Sequence, residues 1–132
     1  MAGTLTISTL SDGTNSTSST NCIQGSAKAW VNYNGVAQTI TNSYNVSSVT
    51  RNSTGNFNIN FTNAMANANY CLSGMASSFD PTDPSGRNLS VAATNPYGTP
   101  SNQTTSTARV LFGFAGALFY DAGYISVVVH GN

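Results

Sequence analysis

Apolar and amide side chains alternate without a break between residues 56 and 61, and this pattern constrains the fold more than any other feature of the chain. Phe57, Ile59 and Phe61 take one set of positions, and asparagines take positions 56, 58 and 60. Successive side chains of a β-strand point to opposite faces of the sheet. The alternation therefore predicts a strand with one face packed in a core and the other in contact with water.

Similar short alternating runs recur along the chain, while residues that favour helices are scarce. Short, regularly spaced strands are typical of an antiparallel β-sandwich or jelly roll. We therefore predict an all-β fold, an antiparallel sandwich or jelly-roll-like domain over residues 27–132, preceded by a short N-terminal arm over residues 1–26. The predicted strands centre on residues 5–7, 29–33, 36–40, 44–46, 57–61, 70–76, 89–93, 110–114 and 125–129.

Turn-forming residues separate these runs. Asn34-Gly35 is a strong hairpin signal, because both residue types tolerate a positive φ, and it predicts a type I′ turn. The segment from Asn52 to Gly55 predicts a second turn, and Asp121 to Gly123 a third. Prolines favour irregular loops over residues 79–88 and 95–106, because proline lacks a backbone donor. The Ser/Thr/Asn-rich segment 12–25 is predicted to be a loop or an extended arm.

Charge is nearly absent from the chain. Only 6% of the 132 residues are charged, against about 25% in an average soluble domain. Four basic and four acidic residues provide no cationic surface for nucleic-acid phosphates or for an anionic membrane. No apolar run approaches the roughly 20 residues of a membrane span. We therefore expect neither a nucleic-acid partner nor membrane insertion, and a surface suited to a densely packed assembly.

Residues for catalysis or metal binding are few. His130 is the only histidine and Cys22 and Cys71 are the only cysteines. We expect His130 to face solvent and both thiols to be buried, a disulfide between them being the alternative. Asp80 and Asp83 flank prolines in one loop, where a calcium site or a glycosidase pair is an alternative to ordinary turn chemistry. The sequence predicts no catalytic residues, no metal site and no cofactor, and hence a protein that is not an enzyme.

Trp30 is the residue whose position most suggests a contact with another molecule. It alternates with Ala29 and Val31, so it points away from the face that carries Val31 and Tyr33. Three interpretations are open: packing within the domain, burial in a subunit interface, where aromatic residues are favoured, or a platform for a sugar ring. Packing is the default interpretation, and we retain Trp30 as the candidate residue of a subunit interface. Tyr97, in the second proline-containing loop, is a candidate for contact with an external ligand, although packing of the loop against its own domain is the default interpretation.

Several segments, in their order along the chain, resemble a domain of tail-fibre and related virion proteins of tailed bacteriophages that infect aquatic bacteria and cyanobacteria. One departure is Ala66-Asn67, where that family commonly has a proline. The segments that carry the resemblance are Ala27-Lys-Ala-Trp-Val-Asn-Tyr-Asn-Gly35, Ser43-Tyr-Asn-Val-Ser-Ser-Val-Thr50, Thr54-Gly-Asn-Phe-Asn-Ile-Asn-Phe-Thr-Asn-Ala-Met65, Asn69-Tyr70 and Ile125-Ser-Val-Val-Val-His-Gly-Asn132.

The resemblance implies a non-enzymatic structural protein of the virion, of fibre or appendage type, that forms a homotrimer. The arm would dock to another virion protein of the tail or capsid. The two proline-containing loops would face a host surface and its glycans, through Phe79, Asp83, Arg87 and Tyr97. One alternative is a capsid decoration protein that bridges coat subunits. Another is a glycan-degrading appendage enzyme, which would need a pair of acidic residues.

Overall fold

The computed structural model describes residues 3–77, 88–91, 103–114 and 118–131. Eleven strands and one short helix are found in these ranges. In chain order they are β1 (Thr9–Ser11), β2 (Ser16–Ser18), α1 (Ser19–Gly25), β3 (Ala27–Asn34), β4 (Thr39–Tyr44), β5 (Val46–Ser53), β6 (Asn56–Phe61), β7 (Cys71–Ala76), β8 (Asn88–Val91), β9 (Thr107–Phe114), β10 (Leu118–Phe119) and β11 (Ile125–His130).

Two antiparallel sheets pack face to face and confirm the predicted all-β sandwich. The first has the strand order β4-β3-β11-β7. The second has the order β10-β9-β6-β5, with β8 also paired to β9. A separate two-stranded sheet, β1-β2, precedes α1 in the arm. The chain passes from α1 to β3 at Ser26, where we predicted the boundary of the arm; the division into two units stays a prediction.

The core lies between the two large sheets, as the alternation predicts. Phe57, Ile59 and Phe61 are buried on β6, whereas the asparagines between them are partly exposed. Two edge-to-face aromatic pairs link elements that are distant in sequence: the ring centroids of Tyr33 and Phe57 are 5.5 Å apart, and those of Phe61 and Tyr70 are 5.7 Å apart. The other buried apolar residues in the described part of the chain are Ala29, Val31, Val46, Met65, Ala108, Val110, Phe112, Ala122, Ile125, Val127 and Val129.

The β3-β4 hairpin is present, but its predicted type I′ turn is wrong. The loop spans four residues, 35–38, and the positive φ falls on Gln38. The Asn34 side chain accepts hydrogen bonds from the backbone amides of Val36 and Ala37, at 3.0 and 2.8 Å. Gly35 is required for a different reason. Its amide donates to the carbonyl of Ala122 at 2.8 Å, and a Cβ on Gly35 would lie 2.8 Å from that same oxygen.

Tyr44 and Val46 do not share a strand face, contrary to our prediction. Tyr44 ends β4 in the first sheet, and Val46 begins β5 in the second. Asn45 separates them with a φ of 54°, a conformation that asparagine adopts more readily than most residues. Its amide nitrogen donates to the carbonyl of Lys28, and its side-chain oxygen accepts from the amide of Asn63. This residue therefore carries the chain from one sheet to the other.

The arm also differs from the sequence-based expectation. Leu5 and Ile7 lie outside the strands, and the first strand is β1, at residues 9–11. The segment predicted to be a loop or an extended arm contains β2 and α1. α1 begins after Ser18, whose hydroxyl accepts a hydrogen bond from the amide of Asn21 at 3.1 Å. Serine is a favoured residue at this capping position. The cap supports a short helix here although few residues of the chain favour helices.

Candidate interaction surfaces

The outer face of the first sheet carries a row of apolar side chains that the core does not cover. The strand register places Trp30 of β3 between Tyr44 of β4 and Val128 of β11. Val128 in turn lies opposite Ser73 of β7. The side chain of Tyr44 is 57% exposed, and Trp30 and Val128 are half-buried. Three large side chains thus form a stripe across the strands on the side away from the core.

A second row runs parallel to this stripe and ends in another exposed apolar group. Asn32 lies opposite Asn42 on β4 and opposite Ser126 on β11, and Ser126 faces Met75 on β7. Met75 is 77% exposed. We call the outer surface formed by Trp30, Tyr44, Val128 and Met75 the Trp30 face. These four side chains carry no charge.

The arm exposes a second apolar surface. None of residues 3–26 is buried. A groove in the arm is lined by Leu5, Ile7, Leu10 and Ile23 together with Thr6, Ser19 and Cys22. The four large apolar side chains are all exposed, from 39% at Ile7 to 80% at Leu5. The arm therefore has hydrogen-bonded structure without a core of its own.

The only charged residue of the arm serves its hairpin. One carboxylate oxygen of Asp12 accepts from the amides of Thr14 and Asn15, at 2.9 and 2.7 Å. These backbone hydrogen bonds hold the pKa of Asp12 below its ordinary value, because they favour the ionised form. The carboxylate is thus used within the turn between β1 and β2.

Two contacts fix where the arm leaves the sandwich. The Lys28 ammonium donates to the carbonyl of Ile23 and, at 3.2 Å, to the hydroxyl of Ser26. Nδ1 of His130 lies 3.2 Å from the carbonyl oxygen of Gly25. Lys28 and His130 alternate with buried residues on β3 and β11, as Trp30 and Val128 do. The arm is consequently anchored at the end of the Trp30 face.

The outer face of the second sheet differs, because amides and hydroxyls bond to one another across it. The amide nitrogen of Asn52 donates to Asn56 and Asn58, and that of Asn60 donates to the hydroxyls of Ser48 and Thr50. Nε of Arg109 donates to the side-chain oxygen of Asn56 at 2.8 Å. The predicted wet face of β6 is therefore a polar network.

A partly buried ion pair ties the end of the sandwich together. Nε and Nη2 of Arg51 donate to one carboxylate oxygen of Asp121, at 3.0 and 2.8 Å, and the amide of Gly55 donates to the other at 2.9 Å. Burial raises the pKa of Asp121, but the hydrogen bonds from Arg51 and Gly55 outweigh that effect, so its pKa lies below the ordinary value. This geometry is structural: it joins β5, the β5-β6 turn and the segment before β11.

The histidine, cysteine and acidic side chains of the described residues form no metal-binding cluster. Within residues 3–77, 88–91, 103–114 and 118–131, no three such side chains are grouped closely enough to hold a metal ion. Both thiols are free, and the expectation of burial is wrong for each: Cys71 is exposed on the edge strand β7, and Cys22 is partly exposed in α1. None of the helices in the described part of the chain is long and apolar enough to cross a membrane.

Of the predicted site residues, the structure describes only Trp30. Its side chain points away from the core, as the alternation predicts, and lies on the Trp30 face. The four predicted loop residues lie outside the described residues, as does the Asp80–Asp83 pair. Sequence reasoning missed Met75 and the apolar groove of the arm. The signal for the groove was available, since Leu5, Ile7, Leu10 and Ile23 are isolated apolar residues in a polar segment.

Comparison of the chain with protein-family models, with curated proteins and with solved structures finds no match.

Proposed function

We propose that this chain is a non-enzymatic structural protein of a tailed-phage virion, of fibre or appendage type, which assembles with copies of itself and attaches to another virion protein. The observation that carries the proposal is the pair of uncovered, uncharged apolar surfaces on one small sandwich. Large apolar patches on a protein surface generally mark interaction sites. A protein with both the arm groove and the Trp30 face exposed is suited to assembly.

The resemblance noted in the sequence supports the phage setting. Its segments fall on β3, on the β4-β5 junction, on β6 and on β11, so they include strands from both large sheets. The polar network on β5 and β6 adds a reason for low charge, because most of its hydrogen bonds join amides to amides or hydroxyls. The host-facing role of the proline-containing loops remains part of this proposal, as does contact with host glycans.

A capsid decoration protein is the second candidate, and the arm favours it. An arm that has no core gains stability by packing against a neighbour, and coat subunits around a capsid would offer such neighbours. The two candidates differ in copy number. A decoration protein occurs in many copies and stays with heads that lack tails, whereas an appendage occurs in few copies and stays with tails.

Quantitative mass spectrometry of separated heads and tails tests both. Virions of the phage that encodes the chain are disrupted, heads and tails are separated, and peptides of this chain are counted against those of the major coat protein. The proposal expects enrichment with tails at a small fraction of the coat copy number. Enrichment with tailless heads at a copy number comparable with the coat would replace it by the decoration protein. Absence from purified virions would refute both.

A further inference from the structure

The hairpin between β3 and β4 contains the only Asn-Gly pair of the chain, Asn34-Gly35. Such a pair can modify itself without an enzyme. The backbone nitrogen of the glycine gives up its proton and attacks Cγ of the asparagine, ammonia leaves, and a five-membered succinimide ring closes. Water then opens the ring to aspartate or isoaspartate, so an amide and water become an acid and ammonia. Glycine favours the attack because it has no Cβ to crowd the nitrogen.

The side chain of Asn34 is already arranged for this attack. Its oxygen accepts hydrogen bonds from the backbone amides of Val36 and Ala37, at 3.0 and 2.8 Å. Two backbone donors at these distances stabilise an oxygen on which negative charge develops. Charge develops on the Asn34 oxygen when Cγ becomes tetrahedral, so the turn polarises the group that would be attacked.

The attacking nitrogen, in contrast, is blocked. Gly35 is buried, and its amide donates a hydrogen bond of 2.8 Å to the carbonyl oxygen of Ala122, which is itself 0% exposed. The nitrogen becomes a nucleophile only after it loses its proton, and a buried N–H that is bound to a carbonyl is shielded from the base that would remove this proton. We call the Gly35–Ala122 hydrogen bond the hairpin clamp.

An ion pair beside the hairpin clamp holds the acceptor in place. Asp121 directly precedes Ala122, and its carboxylate accepts two hydrogen bonds from Arg51 and one from the amide of Gly55. These bonds tie the segment before β11 to β5 and to the β5-β6 turn. Without them the carbonyl of Ala122 is freer to move away from Gly35, although the two strands of the hairpin remain paired.

We infer that Asn34 is a latent self-modification site, that the hairpin clamp keeps it from reacting, and that the Arg51–Asp121 ion pair sets its rate. Opening of the clamp exposes the nitrogen while the sandwich stays folded. The product adds a negative charge to a nearly uncharged chain. Its isoaspartate form also lengthens the backbone by one carbon, so the bonds to Val36 and Ala37 cannot reform as they were.

The experiment follows the modification by mass spectrometry. The wild type, Asp121→Ala and Tyr70→Phe are incubated in mildly alkaline buffer, and the wild type also in guanidinium chloride as the unfolded reference. Trypsin releases residues 29–51 as one peptide, in which fragment ions distinguish Asn34 from the other asparagines. Tyr70→Phe is the matched control, because Tyr70 packs on Phe61, at the opposite end of β6 from the Phe57 ring beside Gly35.

Urea unfolding measures the stability of each variant, and circular dichroism establishes that each is folded. If Asp121→Ala is not folded, Arg51→Met takes its place, since it removes the ion pair and keeps the bond from Gly55 to Asp121. We expect Asn34 of the native wild type to convert roughly 10–100-fold more slowly than in the unfolded chain, because a buried hydrogen bond has to break first. Asp121→Ala should raise the native rate by roughly tenfold, and Tyr70→Phe should leave it close to that of the wild type.

Three results would overturn the inference. Equal rates in the native and the unfolded wild type would show that the clamp does not protect Asn34. A native rate of Asp121→Ala equal to that of the wild type would show that the ion pair does not control the clamp. An acceleration by Tyr70→Phe as large as that by Asp121→Ala, at a similar loss of stability, would show that the modification follows global unfolding.

Discussion

We predict that Gly55 cannot be replaced without a large loss of stability. A comparison with Gly35 and Gly123 separates the effect of its positive φ from the effect of steric contact. Gly55 has a φ of 66°, and a Cβ there would lie 2.3 Å from the carbonyl oxygen of Phe112 and 2.8 Å from the backbone nitrogen of Tyr120. Gly35 would place a Cβ 2.8 Å from the carbonyl oxygen of Ala122, but its φ is not in the left-handed region. Gly123 has neither a positive φ nor a neighbour within 4 Å of a Cβ.

The magnitudes follow from these contacts. A left-handed φ costs a residue with a Cβ about 1–2 kcal/mol, and a forced steric overlap in a packed site costs about 1–3 kcal/mol. Gly55→Ala combines both, and the two clashing atoms, the carbonyl oxygen of Phe112 and the amide nitrogen of Tyr120, are hydrogen-bonded to each other. We therefore expect a loss of about 2–5 kcal/mol for Gly55→Ala, about 1–3 kcal/mol for Gly35→Ala and less than about 0.5 kcal/mol for Gly123→Ala.

Urea unfolding followed by tryptophan fluorescence and circular dichroism measures the free energy of unfolding of the wild type and the three variants. A loss of about 3 kcal/mol is a large part of the roughly 5–15 kcal/mol that stabilises a typical domain, so Gly55→Ala should shift the midpoint markedly. The reasoning is refuted if Gly55→Ala unfolds within about 0.5 kcal/mol of the wild type, or if Gly123→Ala is as damaging as Gly55→Ala.

Two further predictions concern ionisable groups. Asp121→Asn should lower the free energy of unfolding by about 1–3 kcal/mol at neutral pH by weakening charge-assisted hydrogen bonds. The folded state depresses the pKa of Asp121, so the stability that the carboxylate contributes is fully present above the unfolded-state pKa of about 3.9 and is lost as the pH falls through the folded-state pKa. The stabilities of the variant and the wild type should therefore converge in acid. A constant difference down to about pH 2 would contradict this prediction. Tyr70 donates to carbonyl oxygens of Thr104 and Thr107, each 3.0 Å away, so Tyr70→Phe should cost about 1–3 kcal/mol. Burial raises the pKa of Tyr70 to about 12, so the wild type should lose stability as the pH rises from the unfolded-state pKa of about 10 toward 12. Tyr70→Phe should lose less over the same range, the remainder coming from Tyr33, whose pKa burial also raises. Equal alkaline sensitivity of the two proteins in urea unfolding would count against this.

Local alternation was sufficient to predict the sandwich and most of its buried face. The buried positions of β3, β6 and β11 could be identified because one face of each strand is apolar and the other is mostly polar. The assignment of strands to sheets could not be predicted from the same signal. The pattern continues smoothly from Tyr44 to Val46, yet the positive φ of Asn45 and its long-range hydrogen bonds place these two residues in different sheets.

The candidate surfaces were harder to predict, because exposure depends on which elements pack together. The direction of Trp30 followed from its neighbours in sequence. Its association with Tyr44, Val128 and Met75 depends on the register of four strands, and that register is not encoded in any one segment. The short helix was missed for a different reason: α1 depends on one capping serine and a few local hydrogen bonds, whereas the composition around it is typical of a loop.

The central position of β11 has a kinetic consequence. This strand follows all the other described strands in sequence, yet it lies between β3 and β7, and its register joins Ile125 to Tyr33 across most of the chain. Closing the long loop between β3 and β11 is slow, because the chain loses conformational entropy before the pairing of the two strands contributes favourable free energy. Until β11 inserts, β3 and β7 would present open edges to other nascent chains. Where many copies are synthesised close together, we therefore expect rapid completion of this sheet to be favoured. Misassembly would begin before β11 inserts, while these edges are open.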